Sequence, residues 1–261
     1  MKERIITALC VLLIVLPLLV IGGPYYKVLI FLTACIGLYE FMKARGNYPL
    51  IMKLVAYIYL GLILYFNINN TDYRLDESII ISSFLTFLIP VIFFQPKKIY
   101  TIKDAFYLLG GVLFLGTSFS FFILLRNINL NLMLYLIIVA CITDTFAYFI
   151  GKYFGKHKLA PAISPKKTWE GAIAGSIFGV IISTLFFIYI VDNSKNTLLV
   201  IIMSLLLSIV GQLGDLLFSA IKREYNIKDY SKLMPGHGGI LDRVDSLILI
   251  VMAYALFHFT I

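Results

Sequence analysis

The chain has 261 residues, 61% hydrophobic and only 14% charged, whereas soluble domains run at about 45–50% and near 25%. Those proportions exclude an ordinary soluble domain and imply a polytopic membrane protein. The net charge of +8, from 22 Lys and Arg against 14 Asp and Glu, does not signal a nucleic-acid partner. The cations lie in short loops between apolar runs, where they orient helices and meet anionic head groups or phosphates.

Lys2 and Arg4 ahead of the first apolar run imitate a secretory leader. Gly22-Gly23-Pro24-Tyr25 offers no small-x-small cleavage site, however, and further spans follow at once, so the run reads as a retained first helix. Apolar runs fall at about residues 5–23, 25–42, 50–66, 78–94, 105–125, 131–151, 170–191, 197–218 and 245–261. Each is near the roughly 17–25 residues that cross hydrocarbon. The fold class is therefore an all-α polytopic integral membrane protein with about nine transmembrane helices, unless the first two runs, parted by little more than Pro24, form a re-entrant pair. Cys10, Cys35 and Cys141 all lie inside apolar runs without CxxC spacing and read as packing residues.

With the N-terminus in the cytoplasm, nine crossings leave the C-terminus outside. Every Lys and Arg then falls on the cytoplasmic side except Lys27, Arg74, Arg126 and Lys195, the bias of the positive-inside rule. Two polar loops, 152–169 and 219–244, share that face. No repeat or soluble insert is visible, so residues 1–261 read as a single transmembrane domain. Residues 1–130 supply scaffold helices facing lipid, and residues 131–261 supply the catalytic helices and cytoplasmic loops. Gly171, Gly175 and Gly179 form a small-xxx-small ladder on the seventh span, suited either to packing within the chain or to the seam of a homodimer.

Ionisable groups beside a bilayer cost roughly 2.5–3.5 kcal/mol each at a helix centre, so a cluster of them is a functional signal. The densest lies between Asp215 and Asp245. At helical spacing Asp215, Ser219, Lys222 and Arg223 share one face, which offers a metal ligand and a phosphate clamp or, alternatively, a solvated helix end with snorkelling cations. The Pro235-Gly236-His237-Gly238-Gly239 turn resembles a phosphate-cradling loop, because its glycines let backbone N–H groups turn toward an anion. Asp242 and Asp245 follow at i and i+3, with Arg243 between them, so both carboxylates can face one ion. Hard oxygen ligands from Asp215 and Asp242 suit Mg²⁺. His237 is either a general acid or phosphate donor, or a conformational residue of the turn.

A second polar patch holds Lys166 and Lys167, placed to meet a triphosphate or a lipid phosphate, with Pro165 stiffening the loop, Thr168 capping the seventh helix near Gly171, and Trp169 anchoring at the interface. Loop lysines are otherwise topology markers. Asp144, about two turns inside the sixth span, faces the polar site, relays a proton or makes a structural hydrogen bond. His157 looks incidental.

These motifs resemble the phosphatidate cytidylyltransferases, also called CDP-diacylglycerol synthases. The signature of that family reads here as Ser219-x-x-Lys222-Arg223, Lys228-Asp229, Pro235-Gly236-His237-Gly238-Gly239 and Asp242-Arg243-Val244-Asp245. Ser164-Pro165-Lys166-Lys167-Thr168-Trp169-Glu170-Gly171 and the Asp144 region are similar to it too, so the resemblance runs from about residue 140 to the C-terminus. Met234, where Leu, Ile or Phe is expected, is a conservative departure. The resemblance implies transfer of the cytidylyl group of CTP to phosphatidic acid, giving CDP-diacylglycerol and pyrophosphate in phospholipid biosynthesis. It implies a cytoplasmic-face site in a bacterial-type plasma membrane, with CTP, phosphatidic acid and membrane lipids as partners. On it, Asp215 and Asp242 hold Mg²⁺, Asp245 serves a second cation or an outer role, and Lys222, Arg223 and Arg243 meet phosphates. His237 joins the catalytic group, and Lys166, Lys167, Ser219, Gly238, Gly239 and Asp144 bind substrate. Two other classes fit the composition: an ion-coupled transporter using Asp144 and Asp215 as carriers, which leaves the glycine turn unexplained, and a CDP-alcohol phosphotransferase, whose aspartate pattern is absent.

Overall fold

The computed structural model describes residues 2–68, 76–95, 99–234 and 238–260. Pro235, Gly236 and His237 of the signature turn, the loop cations Arg74, Lys97 and Lys98, and the side chain of Cys10 lie outside the described residues. Nine α-helices occur among the described residues: α1 (Lys2–Ile21), α2 (Gly23–Arg45), α3 (Leu50–Asn67), α4 (Glu77–Phe94), α5 (Ile102–Ile128), α6 (Leu130–Phe154), α7 (Trp169–Phe186), α8 (Thr197–Glu224) and α9 (Leu241–Thr260). A π-helical turn, Phe187–Val191, continues α7. Six of these helices, α3 to α8, are long and apolar enough to cross a bilayer. Large apolar side chains such as Ile92, Phe93 and Ile173 are exposed on them, as lipid-facing surface requires, and the chain is an integral membrane protein.

Helix ends fall where the sequence supplies hydrogen-bond partners for the orphan terminal N–H groups. Asp76 accepts from Ser78 N–H (2.8 Å), Asn129 from Asn131 N–H (2.8 Å) and Asn196 from Leu198 N–H (2.9 Å), starting α4, α6 and α8. Thr101 and Asp104 form a reciprocal box at the start of α5, with Thr101 N–H on Asp104 Oδ2 at 2.7 Å. Hydropathy marks only where apolar character stops, so several helices outrun their apolar runs. α8 continues through Lys222 and Arg223 to Glu224, for example.

The chain divides into two compact units, Met1–Asn127 with Asp229–Asp242, and Ile128–Lys228 with Arg243–Ile261. In the first unit Leu38, Leu60, Ile63, Leu108, Val112 and Leu115 are fully buried. Arg45 of α2 meets Asp104 of α5 at 2.7 Å, and Tyr107 stacks on Phe41 at 4.3 Å while donating its hydroxyl to the Phe41 carbonyl. Arg126, in the last turn of α5, donates to the Leu19 and Val20 carbonyls at 2.7 and 2.8 Å and so satisfies the C-terminal end of α1.

In the second unit the glycine ladder of α7 is spent on α6. A Cβ on Gly175 would stand 2.6 Å from the Thr143 carbonyl and 2.9 Å from Ala147 Cβ, and one on Gly171 would meet the Ala147 carbonyl and Gly151. Intramolecular packing is thus the use this ladder serves. A hydroxyl chain crosses the same helices: Thr143 donates to Ser208, Ser208 to Ser176, and Gln212 Nε2 to Ser176. The cysteines divide differently from the packing expectation, since Cys35 is half-buried and Cys141 is exposed.

The all-α expectation holds but for one antiparallel hairpin between α6 and α7, β1 (Lys158–Ala160) and β2 (Ser164–Thr168), pairing Lys158 with Thr168 and Ala160 with Ser164. If the α6–α7 seam is backbone-tight, Gly175→Ala should cost about 1–3 kcal/mol and lower the unfolding temperature in detergent. Gly110→Ala, where nothing lies within 4 Å, should not.

Candidate active site

The hairpin is built to aim a lysine. His157 closes its base, with its carbonyl accepting from Trp169 N–H at 3.0 Å and its Nδ1 lying 2.6 Å from Glu170 Oε1. Thr168 caps α7 by accepting from Gly171 N–H at 3.2 Å. It sits among three glycines, since a Cβ at Gly151, Gly155 or Gly171 would run into Thr168. β2 pairs irregularly with β1, four residue steps of β2 facing two of β1, and Pro165 and Lys166 are exposed while Lys167, only 24% exposed, turns to α8 beside buried Thr168. The Lys167 Nζ lies 2.7 Å from Asp215 Oδ2 and reaches the Gln212 carbonyl at 3.4 Å.

Around that pair the second unit gathers its remaining charges. Asp215, Ser219 and Lys222 share one stripe of α8, with Ser219 Oγ donating to Asp215 Oδ1 at 3.3 Å and Lys222 buried. α9 comes close because Gly214 has no side chain; a Cβ there would stand 2.8 Å from the Asp245 carbonyl. Ser246 then donates its hydroxyl to Asp144 Oδ2 at 3.1 Å and lies 3.4 Å from Asp245 Oδ1, so one serine spans carboxylates from α6 and α9. Asp144, Asp215 and Asp245 repel one another through space, with Lys167 and Lys222 opposing that repulsion. Asp144 keeps some accessible surface, while its carboxylate is crowded by the surrounding helices.

In the first unit, Asp242 Oδ2 accepts from Tyr230 N–H and Gly239 N–H, both at 2.9 Å. Gly238, at φ +85°, exchanges backbone hydrogen bonds with Met234 (3.0 and 3.1 Å), and a Cβ on it would stand 2.8 Å from Asp242 Oδ2. Two of the N–H groups expected to cradle phosphate are engaged inside the loop: that of Gly238 by the Met234 carbonyl, that of Gly239 by Asp242.

Among the described residues no three His, Cys, Asp or Glu side chains converge as a ready-made metal cage. The donor chemistry nonetheless fits Mg²⁺. Asp144, Asp215 and Asp245 with the hydroxyls of Ser219 and Ser246 are all hard oxygens, and Mg²⁺ characteristically takes one or two carboxylates and leaves other positions to water and phosphate.

From residue 2 to 261 the chain matches the model of the Cytidylyltransferase family. It belongs to that family. Phosphatidate cytidylyltransferases resemble it along 96% of both chains: that of Staphylococcus haemolyticus (strain JCSC1435) is 37% identical over 255 residues. That of Staphylococcus aureus (strain COL) is 36% identical over 256 residues, and that of Staphylococcus epidermidis (strain ATCC 12228 / FDA PCI 1200) is 34% identical over 254.

Of the family's signature residues, the second unit brings together Asp144, Lys167, Asp215, Ser219, Lys222 and Asp245. Arg223, expected to meet phosphate, is exposed and donates to the Ile163 and Ile227 carbonyls at 3.3 and 3.1 Å, tying the hairpin turn to the end of α8. Arg243 is exposed on the first turn of α9. Sequence reading missed Ser246, which nothing distinguishes from other helical serines, and the His157–Glu170 pair. It also missed Glu40, an intramembrane acid whose position in an apolar run was itself a signal. Thr168→Val keeps the shape but loses the cap, so it should cost about 1 kcal/mol in unfolding experiments in detergent.

Proposed function

We propose that this chain transfers the cytidylyl group of CTP to phosphatidic acid, giving CDP-diacylglycerol and pyrophosphate in phospholipid biosynthesis. One observation carries this reading: end-to-end similarity to phosphatidate cytidylyltransferases. The carboxylate–lysine group of the second unit supplies chemistry in keeping with it. In the reaction a phosphate oxygen of phosphatidic acid forms a bond to the α-phosphorus of CTP, and the bond from that phosphorus to the bridging oxygen breaks to release pyrophosphate. The attacking oxygen is already anionic at pH 7, so no general base is required. What the protein must do is bring two anions together and neutralise charge as the bond forms.

Lys167 and Lys222 are the cations we assign to phosphate, with Lys166 and Arg243 as more exposed partners. Lys167, paired with Asp215 at 2.7 Å, is the cation positioned to meet an incoming phosphate beside that carboxylate. Asp215 and Asp245 would hold Mg²⁺, and Asp242 is assigned to metal on the signature alone. Asp144 binds substrate or an outer water from its place on Ser246. When bound, Mg²⁺ would screen the negative charge between nucleotide and lipid phosphate. We place the site at the cytoplasmic face, with nine crossings, the N-terminus inside and the C-terminus outside, because that orientation collects the loop cations on one side.

In detergent with phosphatidic acid and Mg²⁺, CTP should give labelled lipid and an equal amount of pyrophosphate, while ATP, GTP and UTP give neither. Equal use of ATP would overturn the assignment. Chelation should abolish turnover and added Mg²⁺ restore it. Asp215→Asn should lower kcat by at least about 10²-fold without a change in unfolding temperature; near-normal turnover in that variant would remove Asp215 from the site.

A further inference from the structure

We infer that Glu40, in α2, is a positioning residue that sets the place of the signature loop in the first unit. Its carboxylate is fully buried and accepts three hydrogen bonds from that loop: Ser231 Oγ donates to Oε1 at 2.5 Å, Ile240 N–H to Oε1 at 3.0 Å and Leu241 N–H to Oε2 at 2.9 Å. A buried carboxylate is tolerated only with such donors, and hydrogen bonds to an ionised acceptor are among the strong ones. The geometry also suits the loop, because the first N–H groups of a helix lack partners within it and a negative charge there is favourable. Glu40 thus serves α9 as a cap supplied by another helix.

The same contact gives Gly239 its reason. A Cβ at that position would stand 2.5 Å from both oxygens of Glu40, so only glycine allows the carboxylate to reach Ile240 and Leu241. Gly239 in turn donates its N–H to Asp242, which also holds Tyr230. The order of dependence runs from Glu40 to the Gly239–Leu241 backbone and from there to the Asp242 carboxylate. Glu40 touches neither nucleotide nor lipid; its effect on turnover passes through the loop and rests on the cytidylyltransferase reading above.

The purified full chain in detergent tests this with Glu40→Leu, Glu40→Gln, Glu40→Asp and Gly239→Ala. Glu40→Leu should lower kcat by about 10²-fold, the scale of a misplaced reacting group, with a smaller change in KM for CTP. Glu40→Gln, which keeps one acceptor oxygen, should fall between it and the unaltered chain. Glu40→Asp, which withdraws the carboxylate from the Ile240 and Leu241 N–H groups, and Gly239→Ala, which crowds it, should both be impaired. Amide exchange across 238–242 should speed up in Glu40→Leu; this readout needs no turnover and stands apart from the reaction assignment. Should Glu40→Leu not accumulate, Glu40→Gln takes its place. Unchanged kcat or unchanged exchange would each overturn the proposal.

Discussion

A carboxylate set among apolar helices is stable only where donors or opposite charges already stand around it, and both units of this chain are organised by that requirement. In the second unit, three aspartates from α6, α8 and α9 are met by Lys167, Lys222 and two serine hydroxyls. In the first, Glu40 accepts from two backbone N–H groups and the Ser231 hydroxyl, and Asp242 accepts from two backbone N–H groups of the same loop. The two solutions differ in consequence. A cluster balanced by lysine side chains can exchange a partner for an incoming ligand, whereas a fully buried carboxylate such as Glu40, held by its own chain, is committed to holding shape.

Close helix approach makes the first solution workable. Gly171, Gly175 and Gly179 bring α7 against α6, and Gly211 and Gly214 bring α9 against α8; at Gly171, Gly175 and Gly214 the neighbours are main-chain atoms that cannot swing aside. Carboxylates carried on helices fixed in this way are held more accurately than flexible surface chains would allow. The hydroxyl chain through Thr143, Ser176, Ser208 and Gln212 adds direction to the same packing.

Much of this was legible from residue order, and what was not has identifiable causes. Apolar runs located the helices because hydrocarbon permits little else, and the Asp215–Ser219–Lys222 stripe followed from helical spacing. The Thr168 cap was readable because a threonine before Trp169-Glu170-Gly171 has one obvious partner. The hairpin was hidden because its strands are short and polar, so Lys166 and Lys167 looked equivalent when only Lys167 turns to Asp215. Of the glycines read as turning N–H groups toward an anion, Gly239 donates to the Asp242 side chain of this protein and Gly238 to a backbone carbonyl. The place of Glu40 in an apolar run marked it as unusual, but its partners, some two hundred positions away, are not readable from a single sequence.

The anchoring of β2 at both ends also limits how this stretch can change over time. Connecting segments are ordinarily where chains gain or lose residues freely. Between Ser164 and Thr168, however, an insertion or deletion would displace Lys167 from Asp215 or Thr168 from the cap of α7, because adjacent residues hold the two contacts. The part of the chain that looks most like ordinary surface is thereby held to one length.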